Sequence, residues 1–209
     1  ALAANVNHII ITGTNISKSQ QAIQFARHYP HHLSTTVGVH PHDASQFSVQ
    51  TVNELQVLAE SECVVAIGEC GLDFNRNFST PEQQTFAFEQ QLILACELGL
   101  PVFLHERDAF EVQIKLLTKY RNALKGGVVH CFTGDIVQMN RYLDLDLYVG
   151  ITGWVCDLKR GQALREAVKS LPLNRILLET DAPYLRPKGL ANNRQVDNGN
   201  NEPDYLPFV

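Results

Sequence analysis

Ile176-Leu-Leu-Glu-Thr-Asp-Ala-Pro-Tyr-Leu185 begins as a short run of large aliphatic residues and stops in two carboxylates, Glu179 and Asp181. Pro183 then forbids further regular pairing. The apolar start reads as a buried parallel strand. The same formula recurs upstream: Val64-Val-Ala-Ile-Gly-Glu69 ends in a carboxylate, and Pro101-Val-Phe-Leu-His105 and Gly127-Val-Val-His130 end in imidazoles. In an α/β protein, polar side chains at the carboxyl ends of parallel strands gather on one rim, where ligands bind. Two carboxylates and two imidazoles on such a rim describe a metal-centred hydrolytic site, and a purely structural role for all four is the weaker alternative.

Working outward, further strands read at 8–12, 33–39 and 147–152. Helical periodicity covers 17–29, 52–60, 109–120, 135–143 and 161–170. In the first of these helices Ala22, Ile23, Phe25 and Ala26 are expected to face inward. Another helix opens with Thr80 as N-cap and Pro81 as its first residue, and runs to Gly99. Cys70 to Asn77 reads as a polar loop after the strand ending at Glu69, and 191–201 as an Asn-rich loop. Seven strands alternating with helices predict an α/β fold with a parallel sheet. A flavodoxin-like or Rossmann sheet would bring a glycine-rich first turn, which is missing. The count is one short of a TIM-type (β/α)8 barrel, and Ala1 to Val6 resembles a helix tail. The expectation is therefore one barrel domain over 1–209, lacking its first strand and most of its first helix, and cut short at the C-terminus as well.

The 209 residues, 44% hydrophobic and 19% charged, suit a single globular core. No apolar run approaches the roughly 18–20 residues of a membrane span, and no secretory leader is legible. Five scattered cysteines without a CxxC suit reduced thiols in a cytoplasmic protein. Cys70 and Cys131, although beside site residues, read as buried filler. A net charge of −5 argues against a protein that coats nucleic acid, but not against an enzyme that grips one end of a strand.

Five segments carry a family resemblance: Gly38-Val-His-Pro-His42, Ala66-Ile-Gly-Glu-Cys-Gly-Leu-Asp73, the histidine and arginine of Leu104-His-Glu-Arg-Asp108, Val129-His-Cys-Phe132 and Leu178-Glu-Thr-Asp-Ala-Pro-Tyr184. Together with Asn201-Glu-Pro203 they resemble, in order, the TatD family of metal-dependent deoxyribonucleases. The resemblance implies a TIM barrel, a divalent metal, and hydrolysis of DNA phosphodiesters as a 3′→5′ exonuclease on single-stranded ends. It also implies that Glu69, His105, His130 and Asp181 bind or face the metal. Typical members add a His-x-His on a first strand that this chain does not contain.

Mixed oxygen and nitrogen ligation leaves Mg²⁺, Mn²⁺ and Zn²⁺ open, and a phosphodiester substrate favours Mg²⁺. Asp181 is the expected proton acceptor, with His40 as a second catalytic group that also orients phosphate. His42 stays open between turn structure and function, and Glu179 reads as strand interior or a contact behind the site. Arg76, Arg107, Lys159, Arg160, Arg186 and Lys188 follow strands and suit an anionic substrate. Arg107 is the expected phosphate contact. Phe74, Phe132, Trp154 and Tyr184 lie in the same loops, with Trp154 best placed to stack on a base. The expected partner is DNA, with RNA open, and the expected form is a monomer away from membranes. The competing readings are an amidohydrolase-type metal hydrolase of small esters or amides, and a catalytically silent binding barrel.

Overall fold

The computed structural model describes residues 1–189 and 199–209, so most of the Asn-rich stretch lies outside the described residues. Seven strands alternate with six α-helices: β1 Ile9–Ile11, α1 Ile16–His28, β2 Leu33–Val37, α2 Val49–Ala59, β3 Val64–Asp73, α3 Pro81–Leu98, β4 Val102–Arg107, α4 Phe110–Tyr120, β5 Gly127–Val129, α5 Ile136–Asp144, β6 Tyr148–Ile151, α6 Gln162–Val168 and β7 Ile176–Leu178. Sheet order is chain order, with β1–β2, β2–β3, β3–β4 and β6–β7 all parallel. This is the α/β alternation expected from the sequence. The residues 1–6 contain only a short 3-10 turn, Leu2–Ala4. Two compact units form, His8–Val128 and Ala1–Asn7 with Val129–Val209.

In the unit His8–Val128, α1 is capped by Asn15, whose side chain accepts the Lys18 N–H at 3.0 Å. Its inward stripe is Ser19, Ala22, Ile23 and Ala26, the i, i+3, i+4, i+7 set of one helix face. Phe25, expected inside, falls off that stripe and is 59% exposed. Helix α3 starts and stops as its sequence dictates: Thr80 and Gln83 form a reciprocal capping box, Pro81 opens the helix, and Gly99 closes it at φ 62°. Its core face contributes Phe88, Leu92 and Leu94, each worth about 1.5–3 kcal/mol when fully buried.

The same face carries two buried amides, and each clamps a neighbouring main chain. Gln91 accepts from Val39 N at 2.8 Å and donates to Val39 O at 3.0 Å. Gln84 accepts from Asp73 N at 2.8 Å and donates to Asp73 O at 3.0 Å.

Strand β3 does not end at Glu69. Residues 70–73, read as loop, continue it and pair with β4 as far as Asp73 opposite Arg107. The cause is the close approach of the two backbones at Gly68 and Gly71. A Cβ on Gly68 would stand 2.1 Å from Phe103 O, and one on Gly71 2.0 Å from His105 O. Glycine with φ 142° and 139° permits that approach, and the register shifts between Ile67 and Cys70 to accommodate it.

In the other unit Asp135 caps α5, its side chain accepting from Val137 N and Gln138 N at 2.9 Å. Met139, Tyr142, Leu147, Val149 and Leu164 are fully buried. Phe132, a candidate for base stacking, instead lies in this core, its ring edge-on to Tyr142 at 6.1 Å. β7 pairs with β6, yet Leu177 and Leu178 are 41% and 54% exposed. The apolar run that opens the decisive stretch is therefore a strand but not a buried one: it is the last strand in sheet order, with β6 as its one neighbour among the described residues.

Candidate metal centre

Glu69, on the extended β3, is buried, and two imidazoles converge on it. His105 Nδ1, from β4, lies 3.0 Å from Glu69 Oε1. His40 Nε2 lies 3.4 Å from the same oxygen and 3.3 Å from His105 Nδ1. His40 caps the 3-10 helix Pro41–Gln46, its Nδ1 accepting the His42 N–H at 3.1 Å. That bond occupies the Nδ1 lone pair. Burial lowers the His40 pKa against the raising influence of Glu69, so the neutral ring carries its one proton on Nε2. His40 therefore presents a donor to this cluster and not a lone pair.

Asp73 stands behind the cluster and is almost wholly buried. Its Oδ2 accepts from His42 Nε2 at 2.8 Å and lies 3.5 Å from His105 Nε2. Its Oδ1 accepts from Asn75 N at 3.0 Å and Arg76 N at 2.8 Å. Burial alone would raise the Asp73 pKa. Hydrogen bonds from His105, the Arg76 main chain and His42 outweigh it and hold the carboxyl below the usual range. His105 makes its short contact through Nδ1 to Glu69 Oε1, while its Nε2 lies 3.5 Å from Asp73 Oδ2. Glu69 and His105 belong to a group of donors whose atoms all lie within 4.8 Å of one another, a spacing that suits a cation.

The second cluster sits in the other unit. His130 Nδ1 donates to Glu179 Oε2 at 3.0 Å, which leaves the Nε2 lone pair 3.5 Å from Asp181 Oδ1. The same Glu179 oxygen accepts the Cys131 N–H at 2.8 Å. Gly150 makes room for it, since a Cβ there would stand 2.4 Å from Glu179 Oε2. A carboxylate behind an imidazole, fixing its tautomer, is the usual support of a metal-bound histidine. Asp181 lies just past β7 at φ 56°, and its loop is braced by Asn201. The Asn201 side chain donates to Thr180 O at 2.7 Å and its N–H to Pro183 O at 2.9 Å.

The expected substrate contacts divide. Arg107 ends β4 exposed, and its side chain has no ion-pair partner among the described residues. Trp154 is half-buried, with the Arg160 guanidinium 4.2 Å from its ring centroid, so one indole face is already occupied. Arg160 and Lys188 are tied to Asp157, each at 2.8 Å. Tyr184 is 70% exposed.

The sequence model of the TatD-related DNases matches residues 1–209. The chain belongs to the TatD-related DNase family. It is 52% identical over 209 residues to the 3′-5′ ssDNA/RNA exonuclease TatD of Salmonella typhimurium, covering all of this chain and 79% of that protein. The TatD of Pectobacterium carotovorum is 51% identical, with 80% of its length covered. Among solved structures, the TatD homologue YjjV of Escherichia coli superposes with a TM-score of 0.84 at 30% identity, over 97% of this chain and 76% of that one. A TatD family hydrolase from Entamoeba histolytica gives 0.80 at 32% identity, over 91% and 65%. The fold is the TIM-like α/β fold of these TatD proteins, and the family is one of metal-dependent phosphodiester hydrolases.

Three residues escape the sequence: Asp73, Gln84 and Gln91. Asp73 reads as part of a polar loop, and the strand extension is what brings it behind His105. Glu179, expected as strand interior or a contact behind the site, is the latter, its Oε2 3.0 Å from His130 Nδ1. Gln84 and Gln91, seven apart on one helix face, were indistinguishable from solvated polar residues. No helix among the described residues is long and apolar enough to cross a membrane.

Proposed function

We propose that this chain is a metal-dependent 3′→5′ exonuclease acting on single-stranded ends of DNA, and of RNA, as a cytoplasmic monomer. The observation that carries the reading is the pairing of an imidazole with a carboxylate at strand ends in each unit. His105 Nδ1 lies 3.0 Å from Glu69 Oε1, and His130 Nε2 lies 3.5 Å from Asp181 Oδ1. Close relatives bear the name of such an exonuclease, and the absence of disulfides among the described residues fits a reducing compartment.

Glu69 with His105, and His130 with Asp181, would hold divalent metal. Two carboxylates and a phosphodiester substrate favour Mg²⁺, with Mn²⁺ next. When bound, the metal supplies positive charge to the phosphate oxygens and acidifies the attacking water. The chain's own groups do the rest. Asp181 accepts a proton from the water as its oxygen bonds to phosphorus and the bond from phosphorus to the 3′ oxygen breaks, the departing 3′ oxygen taking a proton from solvent to become a hydroxyl. His40 Nε2–H donates to a non-bridging oxygen, and Arg107 orients the phosphate from its exposed position. Trp154 offers its remaining face to a terminal base.

The test is digestion of single-stranded DNA labelled at either end. Release of mononucleotides from the 3′ end, dependent on Mg²⁺ and weakened in Arg107→Ala without loss of thermal stability, is expected. Turnover of small esters or amides with no action on DNA would replace this reading with the amidohydrolase one.

A further inference from the structure

Two cysteines directly follow metal-site candidates, Cys70 after Glu69 and Cys131 after His130, and the structure separates them. Cys70 is wholly buried, its Sγ against the main-chain oxygens of Ile67 at 4.0 Å and Phe103 at 3.8 Å. It is filler. Cys131 is half-buried, and its Sγ, a His130 ring nitrogen and an Asp181 oxygen all lie within 4.8 Å of one another. We propose that Cys131 is a third donor beside His130 and Asp181, so that this cluster, besides the Mg²⁺ or Mn²⁺ of the proposed reaction, takes thiophilic divalent ions of the zinc and cadmium class and holds them more tightly. The inference rests on the reading that His130 and Asp181 hold metal.

Geometry and chemistry both support it. The 3.5 Å between His130 Nε2 and Asp181 Oδ1 leaves the two within reach of one ion, with the Cys131 sulfur no more than 4.8 Å from a nitrogen of that ring and an oxygen of that carboxylate. Cys131 is held in the left-handed region at φ 45°, a conformation a cysteine keeps only where its surroundings impose it. The imposing group is Glu179 Oε2, which binds the Cys131 N–H and the His130 ring together, so one oxygen sets two donors. The Thr152 hydroxyl lies 3.4 Å from Sγ, placed to donate to a thiolate. Ligation transfers the thiol proton to solvent as the sulfur–metal bond forms. Thiolate favours zinc-class ions over Mg²⁺, whereas the Glu69 cluster offers only oxygen and nitrogen.

The experiment titrates the full chain with Co²⁺ and with Cd²⁺. A near-ultraviolet sulfur-to-cobalt charge-transfer band is expected in the parent, and its loss in Cys131→Ser while the visible d–d bands persist. Cd²⁺ should bind Cys131→Ser at least tenfold more weakly, with Mn²⁺ affinity nearly unchanged. Cobalt d–d bands without charge transfer in the parent would overturn the inference and leave the His130–Asp181 metal site standing. Parent d–d bands that His130→Ala leaves unchanged would remove that site as well. A charge-transfer band surviving in Cys131→Ser would assign the sulfur to another cysteine and overturn the inference. Should Cys131→Ser fail to fold, parent protein alkylated with and without Co²⁺ decides: protection of Cys131 in the peptide map supports it, and equal labelling overturns it.

Discussion

Asp73 and Glu179 each lie beside a histidine of a candidate site, His105 and His130, yet the two clusters are held to different degrees. Glu179 meets its histidine at 3.0 Å, Asp73 at 3.5 Å. Asp73 is nevertheless the more constrained residue, gripped by two loop amides, by His42 and by Gln84 on both sides of its backbone. Glu179 is held by its own N–H, bonded to Ile151 O at 2.9 Å, and by one carboxylate oxygen that meets His130 and Cys131, beside a three-residue strand with two exposed leucines. One cluster has its carboxylate clamped from a neighbouring helix, the other depends on one carboxylate oxygen to set its histidine. The difference teaches where each fails: the first through loss of fold, the second through loss of a tautomer.

The largest expected effect falls on the second cluster. Asp181→Asn keeps size but loses the proton acceptor, so kcat should fall by about 10²–10⁴-fold with Mg²⁺ or Mn²⁺ saturating, while single-stranded DNA still binds. Parent-like kcat in the saturated variant would remove Asp181 from the chemistry. Glu179→Gln should cost about 10–100-fold in metal affinity, with little change in melting temperature. Calorimetric metal titration beside a thermal melt distinguishes this from a structural role.

Gln84→Leu reverses the pattern. It leaves the N–H and C=O of Asp73 unpaired, at about 1–3 kcal/mol for each buried group. At about 2–4 °C per kcal/mol for a chain of this size, the melting temperature should drop by several degrees. A Gln84→Leu protein that melts like the parent but loses metal would invert the comparison.

The smallest effect concerns Asp157. Lys188, then the main chain and side chain of Arg160, hold its pKa below the usual carboxylate value. A depressed carboxylate pKa contributes stability that is present above the unfolded value, about 3.9, and lost as pH falls through the folded one. Below pH 4 the parent should therefore lose stability more steeply than Asp157→Asn, as acid titrations of the two would record.

Much of this was legible because local chemistry decided it. Thr80, Pro81 and Gly99 fix α3 without help from the rest of the molecule. Glu69, His105, His130 and Asp181 stand out as polar residues ending apolar runs, and the structure brings them together in two pairs. What stayed hidden depends on partners distant in sequence. β3 runs on to Asp73 because Gly68 and Gly71 admit β4, and no periodicity in 70–77 records that. Phe132 looked like a loop aromatic because Tyr142, its ring partner, comes from the next helix. Phe25 was an error of phase, since the stripe through Ala22 and Ala26 leaves it outside. Asn201 shared a motif with its relatives, but only the folded chain reveals that it pins the main chain around Asp181.

The glutamine clamps have a consequence for exchange with solvent. The N–H of Val39, just before His40, and that of Asp73 are each bonded to an α3 side chain, Gln91 and Gln84. These amides cannot open by fraying of a loop; they open only when α3 lifts away. Their deuterium uptake should therefore keep pace with the α3 core and lag far behind that of neighbouring surface turns. Two positions flanking the His40–Glu69–His105 cluster would then report, in a hydrogen-exchange experiment, the opening free energy of a helix that contributes no side chain to the chemistry.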